Sequence, residues 1–107
     1  VDDAYRSLIS GKIEVNETTN TIADGLRTNL GTLNFPIIQK RVKEIILVSE
    51  NEILDSLKMI INNLKLVVEP SSSVVLAALL KNKSRFKNKN IGLIMCGGNI
   101  DFSNLKF

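Results

Sequence analysis

The chain has 107 residues, is 44% hydrophobic and 23% charged, and carries a net charge of +3. This composition is typical of a globular protein, and the length allows one domain with a modest core. A single cysteine excludes an internal disulfide and fits a reducing, cytoplasmic environment, and the lack of histidine excludes histidine triads and His-ligated zinc. No apolar run reaches the roughly 20 residues of a membrane span. The start, Val1-Asp2-Asp3, lacks the basic beginning of a signal peptide, and the missing initiator methionine indicates a processed chain or a fragment.

The first half of the chain predicts two short helices joined by a polar loop. The first helix runs from Asp2 to Gly11, because carboxylates favour a helix start and glycine suits a left-handed cap. Residues 15–20 are predicted to form a loop, and a turn or helix starts within residues 21–26. The second helix spans residues 34–42, with Pro36 near its first position and Asn34 as the candidate cap.

The second half of the chain contains two apolar runs and a clear helix start. Residues 44–48 are rich in β-branched side chains and predict a buried strand, and residues 91–95 predict a second one. Ser49 and Glu52 form the signature of a capping box. Apolar residues then recur at helical spacing: Ile53, Leu57, Ile60, Ile61 and Leu64.

The alternation of strands and helices favours an α/β fold. Glu69-Pro70 is predicted to stop regular structure before a buried helix at residues 74–80, which leads to the second strand. Parallel strands joined by right-handed helical crossovers form a doubly wound sheet. Because two strands alone leave both sheet edges open, we expect the chain to be part of a larger α/β domain.

Two features suggest contacts with ligands. Cys96, followed by Gly97-Gly98, comes directly after the second predicted strand, at the end where open α/β sheets bind ligands. A buried core cysteine before an ordinary turn is the alternative. Residues 81–89 contain five basic side chains that could contact phosphate or an acidic surface. With one interleaved aromatic residue and no nucleic-acid motif, a solvated helix end and loop is favoured, and neither nucleic acid nor a membrane is an expected partner.

Four segments occur in an order and spacing that resemble the C-terminal portion of serine racemases and serine/threonine dehydratases, which are pyridoxal-phosphate enzymes of fold type II. The segments are Asp2-Asp3-Ala4-Tyr5-Arg6-Ser7 with Gly11-Lys12, Thr21-Ile22-Ala23-Asp24-Gly25-Leu26, Lys65-Leu66-Val67-Val68-Glu69-Pro70-Ser71-Ser72, and Cys96-Gly97-Gly98-Asn99-Ile100-Asp101. The resemblance implies that residues 1–107 form the C-terminal portion of the cofactor-binding large domain of a tryptophan-synthase-β-like enzyme. The lysine that carries the cofactor and the glycine-rich loop that binds its phosphate have no match in the chain, so no catalytic residue is assigned.

The resemblance also implies contacts with the cofactor, pyridoxal phosphate, and with the substrate. Cys96 would face the pyridine nitrogen, where a neutral thiol leaves that nitrogen largely unprotonated. Gly97, Glu69 and Gly25 would line the cofactor site, and Thr28 would offer its hydroxyl to the substrate carboxylate. Two simpler interpretations stay open: Glu69 as a carboxylate at a helix start, and Thr28 as a threonine packed in a loop.

A cation and a nucleotide are further implied ligands. Asp3 and the carbonyl of Val1 match cation ligands of metal-bearing relatives, which makes Mg²⁺ or Ca²⁺ a candidate. A helix-start charge is the alternative for Asp3. Lys65 and Asn99 match positions that meet ATP, as an effector, in animal racemases, although a surface lysine and a turn asparagine are the favoured interpretation.

The implied activity is dehydration of serine or threonine, or racemisation of serine, through removal of the α-proton and, in the dehydratase, loss of the β-hydroxyl. The implied substrate is a small amino acid, and the complete enzyme is expected to be a homodimer. The groups that separate dehydratase from racemase are expected upstream of Val1. The alternative is a truncated, non-catalytic chain that folds and pairs with a complete subunit.

Overall fold

The computed structural model describes residues 1–105, which divide into two compact units. The first unit combines Val1–Thr21 with Gly25–Leu47, and the second combines Ile22–Asp24 with the chain from Val48 onward. The helices of the described chain are Asp3–Ser10 (α1), a 3₁₀ helix at Asp24–Leu26, Phe35–Arg41 (α2), Glu50–Leu64 (α3), Pro70–Lys81 (α4) and a 3₁₀ helix at Phe102–Asn104. A search of residues 1–105 finds no helix with the length and hydrophobicity that a membrane crossing requires.

The first predicted helix is confirmed as α1, together with its glycine cap. Gly11 has a φ of 77° and donates its N–H to the Ser7 carbonyl at 2.9 Å, which satisfies one carbonyl at the helix end. The buried Ser7 hydroxyl donates to the Asp3 carbonyl at 2.6 Å and accepts the Glu14 N–H at 2.9 Å. This serine therefore fastens the following loop to the buried side of α1.

The second predicted helix is confirmed as α2, but the predicted role of Asn34 is wrong. Phe35 is buried and Pro36 occupies the first turn, where a missing N–H costs nothing. Asn34 precedes the helix with φ −82° and ψ −33°, and within the described chain its side chain makes no capping hydrogen bond. A capping side chain needs the extended backbone that Asn34 lacks.

The core of the second unit lies between α3 and α4. The predicted capping box begins α3, since Ser49 Oγ accepts the Glu52 N–H at 3.3 Å and Glu52 Oε2 accepts the Ser49 N–H at 2.7 Å. The central buried residues are Leu57, Ile60 and Val68, and a buried aliphatic side chain contributes about 1.5–3 kcal/mol. Half-buried apolar residues pack around them: Ile61, Leu76, Met95, Ile100 and Leu105.

Helix α4 begins four residues earlier than the apolar run at residues 74–80 predicts. Pro70 starts the helix instead of ending regular structure, because its fixed φ suits the first helical position. The buried face of α4 is made of small side chains, including Ser72, Ser73 and Ala77. Ser73 Oγ lies 3.1 Å from the Ile53 carbonyl of α3 and 2.8 Å from the Pro70 carbonyl. Small residues thus let the two helix backbones approach closely.

The two predicted buried strands are not present as strands. Across residues 1–105 the structure contains no β-strand, so the parallel sheet of the predicted α/β fold is absent from the described chain. Within the run at 91–95, Ile94 is 79% exposed and Ile91 is also exposed, and in the run at 44–48 Leu47 is exposed. An apolar run becomes a buried strand only when neighbouring strands pair with it, and residues 1–105 contain no such strand.

Candidate functional site

The turn at residues 96–98 lies against the start of α4, within the second unit. The Cys96 N–H donates to Ser72 Oγ at 2.9 Å, and the Glu69 N–H donates to the Gly97 carbonyl at 3.1 Å. Ser72 is buried, so the backbone of the turn is fixed from inside the protein. The structure thereby brings together Cys96, Gly97 and Glu69, three of the four residues predicted to bind the cofactor.

Gly97 makes the closest approach in this cluster. Its φ of 81° lies in the left-handed region, and a Cβ built on it would meet the Glu69 carboxylate, at 2.5 Å from Oε2 and 2.6 Å from Oε1. A Cβ on Gly98 would lie 3.4 Å from the Val67 carbonyl. The turn therefore presents bare backbone beside a carboxylate, and a side chain at position 97 would collide with that carboxylate.

Cys96 is exposed, so the alternative of a buried core cysteine is wrong. Residues 91–95 do not form a buried strand that would carry Cys96 into the core. The neighbouring Met95 packs on the core instead. The backbone of Cys96 is held by Ser72, which leaves the thiol on an accessible, fixed turn. Ser72 is a site residue that the sequence analysis missed, and its signal was the run of three serines after Pro70 at a helix start.

Gly25 and Thr28 belong to the first unit, and Gly25 lies within the 3₁₀ turn that ends at Leu26. Both residues are exposed, which contradicts the alternative of Thr28 as a packed threonine. Arg27 Nη2 donates to the Thr21 carbonyl at 2.7 Å and so closes the loop between them. Thr28 is an exposed residue that directly follows the closed loop.

Asp3 is buried, 5% exposed, and its carboxylate is bound by an asparagine that the sequence analysis assigned only to a loop. Asn16 Nδ2 donates to Asp3 Oδ1 at 2.7 Å, and Asn16 Oδ1 accepts the N–H groups of Asp2 and Asp3, each at 3.2 Å. Arg6 Nε donates to Asp2 Oδ1 at 2.8 Å, and this hydrogen bond lowers the pKa of Asp2. One amide side chain therefore organises the start of α1.

Val1, the other predicted cation ligand, lines an open cavity of about 600 Å³ beside Asn16. Among the described residues, however, no group of three or more His, Cys, Asp or Glu side chains is placed to hold a metal ion. Asp3 and Val1 thus lie near each other in sequence, but the described chain does not assemble a complete cation site around them.

Lys65 and Asn99, predicted to meet a nucleotide, both lie in the second unit. Lys65 ends α3 with a φ of 57°, and its Nζ donates to the Asn62 carbonyl at 2.7 Å. Asn99 is exposed after the glycine turn. The Lys65 ammonium is therefore bound to its own helix, which agrees with its interpretation as a surface lysine.

Comparison with known proteins gives matches over nearly the whole chain. The family described as pyridoxal-phosphate dependent enzyme matches residues 1–97. The chain is 45% identical over 108 residues to the serine racemase of Dictyostelium discoideum, covering 97% of the chain and 33% of that protein. It is 43% identical over 104 residues to the beta-hydroxyaspartate dehydratase of Paracoccus denitrificans, again covering 97% and 33%. The chain thus spans about a third of the length of these relatives.

Solved structures resemble the chain in fold as well as in sequence. The maize serine racemase has a TM-score of 0.88 at 40% identity, over 95% of the chain and 32% of that structure. The T.th. threonine deaminase also has a TM-score of 0.88, at 42% identity over 94% of the chain and 37% of that structure. The sequence resemblance to serine racemases and dehydratases is thereby confirmed, and the chain belongs to the family of pyridoxal-phosphate dependent enzymes.

Proposed function

We propose that the complete protein is a pyridoxal-phosphate enzyme that dehydrates serine or threonine or racemises serine. The support comes from relatives that are named serine racemase, threonine deaminase and beta-hydroxyaspartate dehydratase. In this proposal residues 1–107 are the C-terminal portion of the large domain, and the runs at 44–48 and 91–95 join a doubly wound parallel sheet. The complete enzyme would be a cytoplasmic homodimer.

The observation that carries the proposal is the cluster of Cys96, Gly97 and Glu69. A flat ring requires a surface without projecting side chains, and Gly97 keeps its backbone bare because the Glu69 carboxylate occupies the position that a Cβ would take. An accessible thiol precedes this surface and a carboxylate borders it. The chemistry of these three residues supports the proposed contacts with a pyridine-type cofactor, with the thiol as the group that would face the ring.

When bound, pyridoxal phosphate withdraws electrons from the amino acid and so stabilises the carbanion left by removal of the α-proton. Cys96 is proposed to face the ring nitrogen. A thiol is a weak donor and acceptor, so it does not hold a proton on that nitrogen as a carboxylate would. A neutral group at this position would suit elimination of a β-hydroxyl. Ser72 holds the backbone of Cys96 through the N–H of that residue.

Thr28 and Gly25 are proposed to line the substrate side of the site, and Thr28 to donate its hydroxyl to the amino-acid carboxylate. Carboxylates accept charge-assisted hydrogen bonds, which are stronger than neutral ones. Asp3 and the Val1 carbonyl are proposed to contribute to a Mg²⁺ or Ca²⁺ site whose remaining ligands lie beyond the described residues. Lys65 and Asn99 are proposed to contact ATP as an effector, and this proposal rests only on the resemblance to animal racemases.

The proposal is tested by incubating the complete protein, purified with pyridoxal phosphate, with L-serine, L-threonine and threo-3-hydroxyaspartate. Oxo acid is measured as a hydrazone and D-serine by chiral chromatography. We expect conversion of at least one substrate. A protein that retains no cofactor and converts none of the three amino acids refutes the proposal and favours the non-catalytic alternative.

A matched pair of variants tests the substrate role of Thr28. Thr28→Val removes the hydroxyl and keeps the side-chain shape, and we expect KM to rise about tenfold through loss of one charge-assisted hydrogen bond. Thr32→Val is the control, because Thr32 is also exposed and lies in the same unit. Equal KM values for the two variants would contradict the assignment of Thr28.

A further inference from the structure

The carboxylate of Glu50 binds a backbone segment that is distant in sequence. Glu50 Oε2 accepts the Ile22 N–H at 2.8 Å, across 28 positions of the chain. Ile22–Asp24 belongs to the compact unit of α3 and α4, whereas the chain on either side of it belongs to the other unit. Ala23, in the middle of the segment, is 0% exposed. A carboxylate at the start of α3 thus binds the first residue of a three-residue segment of the second unit.

Helix α3 does not need Glu50 for its cap. The capping box is formed by Ser49 and Glu52 alone, and both of its hydrogen bonds are present. Glu50, as the first helical residue, has an additional favourable interaction with the helix dipole, which depends on its charge. The bond to Ile22 depends instead on an acceptor oxygen, so the two roles can be separated by substitution.

The segment held by Glu50 leads directly into the proposed substrate loop. The Asp24 N–H donates to the Ile22 carbonyl at 3.0 Å, so a tight turn follows the anchored residue at once. Gly25 is the next residue, and Thr28 lies three positions further on. Only two residues therefore separate Ile22 from the first residue of the proposed substrate loop.

We propose that Glu50 is a positioning residue that fixes Ile22–Asp24 and thereby sets the start of the loop carrying Gly25 and Thr28. It acts through the backbone and touches neither substrate nor cofactor. The part that concerns substrate rests on the proposed function, and the anchoring part rests on the hydrogen bond alone.

The test compares three variants of the complete protein with pyridoxal phosphate present. Glu50→Ala removes the acceptor, Glu50→Gln keeps an acceptor oxygen without the charge, and Asp55→Ala removes an exposed carboxylate from the same helix as a control. Amide hydrogen exchange is measured over residues 20–26, and KM and kcat are measured with the amino acid that the wild-type protein converts. Exchange is independent of activity and reports opening of the segment.

We expect Glu50→Ala to speed exchange over residues 20–26 about tenfold and to raise KM more than it lowers kcat. Glu50→Gln should stay close to wild type in both the exchange rate and KM, and Asp55→Ala should match wild type. Unchanged exchange in Glu50→Ala overturns the anchor. A Glu50→Gln variant as impaired as Glu50→Ala also overturns it, because the helix-start charge would then be the role of Glu50.

Two further outcomes separate this inference from the proposed function. If Glu50→Ala does not fold, amide exchange over residues 20–26 is compared between Glu50→Gln and Asp55→Ala. Because Gln keeps an acceptor oxygen, faster exchange in Glu50→Gln would overturn the anchor. If the wild-type protein converts no amino acid, the proposed function fails while exchange still decides the anchor. Faster exchange with unchanged KM and kcat overturns the link from the segment to substrate.

Discussion

Substitution of Gly97 by alanine should destabilise the protein through two effects that the structure separates. An L-residue at a φ of 81° is strained by about 1–2 kcal/mol. The new Cβ would also meet both carboxylate oxygens of Glu69, so that side chain must leave its present rotamer at a cost of roughly 0.5–1.5 kcal/mol. Together these effects predict a loss of about 1.5–3.5 kcal/mol in the free energy of unfolding.

Two other glycines provide matched controls for the separate effects. Gly11 has a φ of 77°, and among the described atoms nothing lies within 4 Å of a Cβ built on it. Gly11→Ala therefore measures backbone strain alone and should cost about 1–2 kcal/mol. Gly92 has no positive φ, and among the described atoms nothing lies within 4 Å of a Cβ built on it. Gly92→Ala should therefore change the free energy of unfolding by at most about 0.5 kcal/mol.

The assay is urea unfolding of the complete protein and of each alanine variant, followed by far-UV circular dichroism. The expected order of stability loss is Gly97, then Gly11, then Gly92. Combining Gly97→Ala with Glu69→Ala should recover about 0.5–1.5 kcal/mol relative to the sum of the single changes, because the collision is removed. A Gly97→Ala variant no less stable than Gly92→Ala, or additive behaviour in the double variant, would refute the reasoning.

Three further predictions concern the cofactor, the cation and pH. If the proposed function holds, Cys96→Ser in the complete protein should keep turnover and the cofactor spectrum, whereas Cys96→Asp should change both by favouring a protonated ring nitrogen. Equal results for the two variants would mean that Cys96 does not face the ring. Asp3→Asn keeps an acceptor for Asn16 but loses the charge, so activity titrated with Mg²⁺ after chelation should need more metal; an unchanged half-saturating concentration contradicts the cation role. The N–H of Ser49 and then the Lys81 ammonium hold the pKa of Glu52 below its ordinary value of 4.5, so the stability that Glu52 contributes is present above pH 4.5 and is lost as pH falls below it. Glu52→Gln should therefore flatten the decline of stability below pH 4.5 in acid unfolding, and parallel curves for the two proteins would exclude this contribution.

The features that were predictable from the sequence depend on residues close together in the chain. The capping box of Ser49 and Glu52 and the left-handed cap at Gly11 involve partners no more than four positions apart. Residue type and spacing therefore determine them. Pro70 shows the limit of prediction from local sequence, since a proline can end one helix or begin the next. In the structure Pro70 begins α4, whose buried face of small side chains packs on α3.

The features that escaped prediction depend on distant partners. The runs at 44–48 and 91–95 have strand composition, but composition does not supply the neighbouring strands on which a ladder depends. The approach of Glu69 to Gly97 joins residues 28 positions apart, and the family resemblance named both without showing that they touch. Asn16 lies in a loop of polar residues, where nothing in the spacing distinguishes the asparagine that binds Asp3.

The left-handed lysine at the end of α3 has a consequence for sequence drift. A non-glycine residue with a φ of 57° is strained by about 1–2 kcal/mol. The Lys65 ammonium lies at the negative end of the helix and stabilises it by about 0.3–1 kcal/mol, which offsets part of this strain. A glycine at position 65 would avoid the strain but would lose more chain entropy on folding, at a cost of roughly 0.5–1 kcal/mol. Because these terms nearly cancel, exchange of lysine and glycine at position 65 is close to neutral for folding. Selection on this position can therefore act on surface charge with little effect on folding.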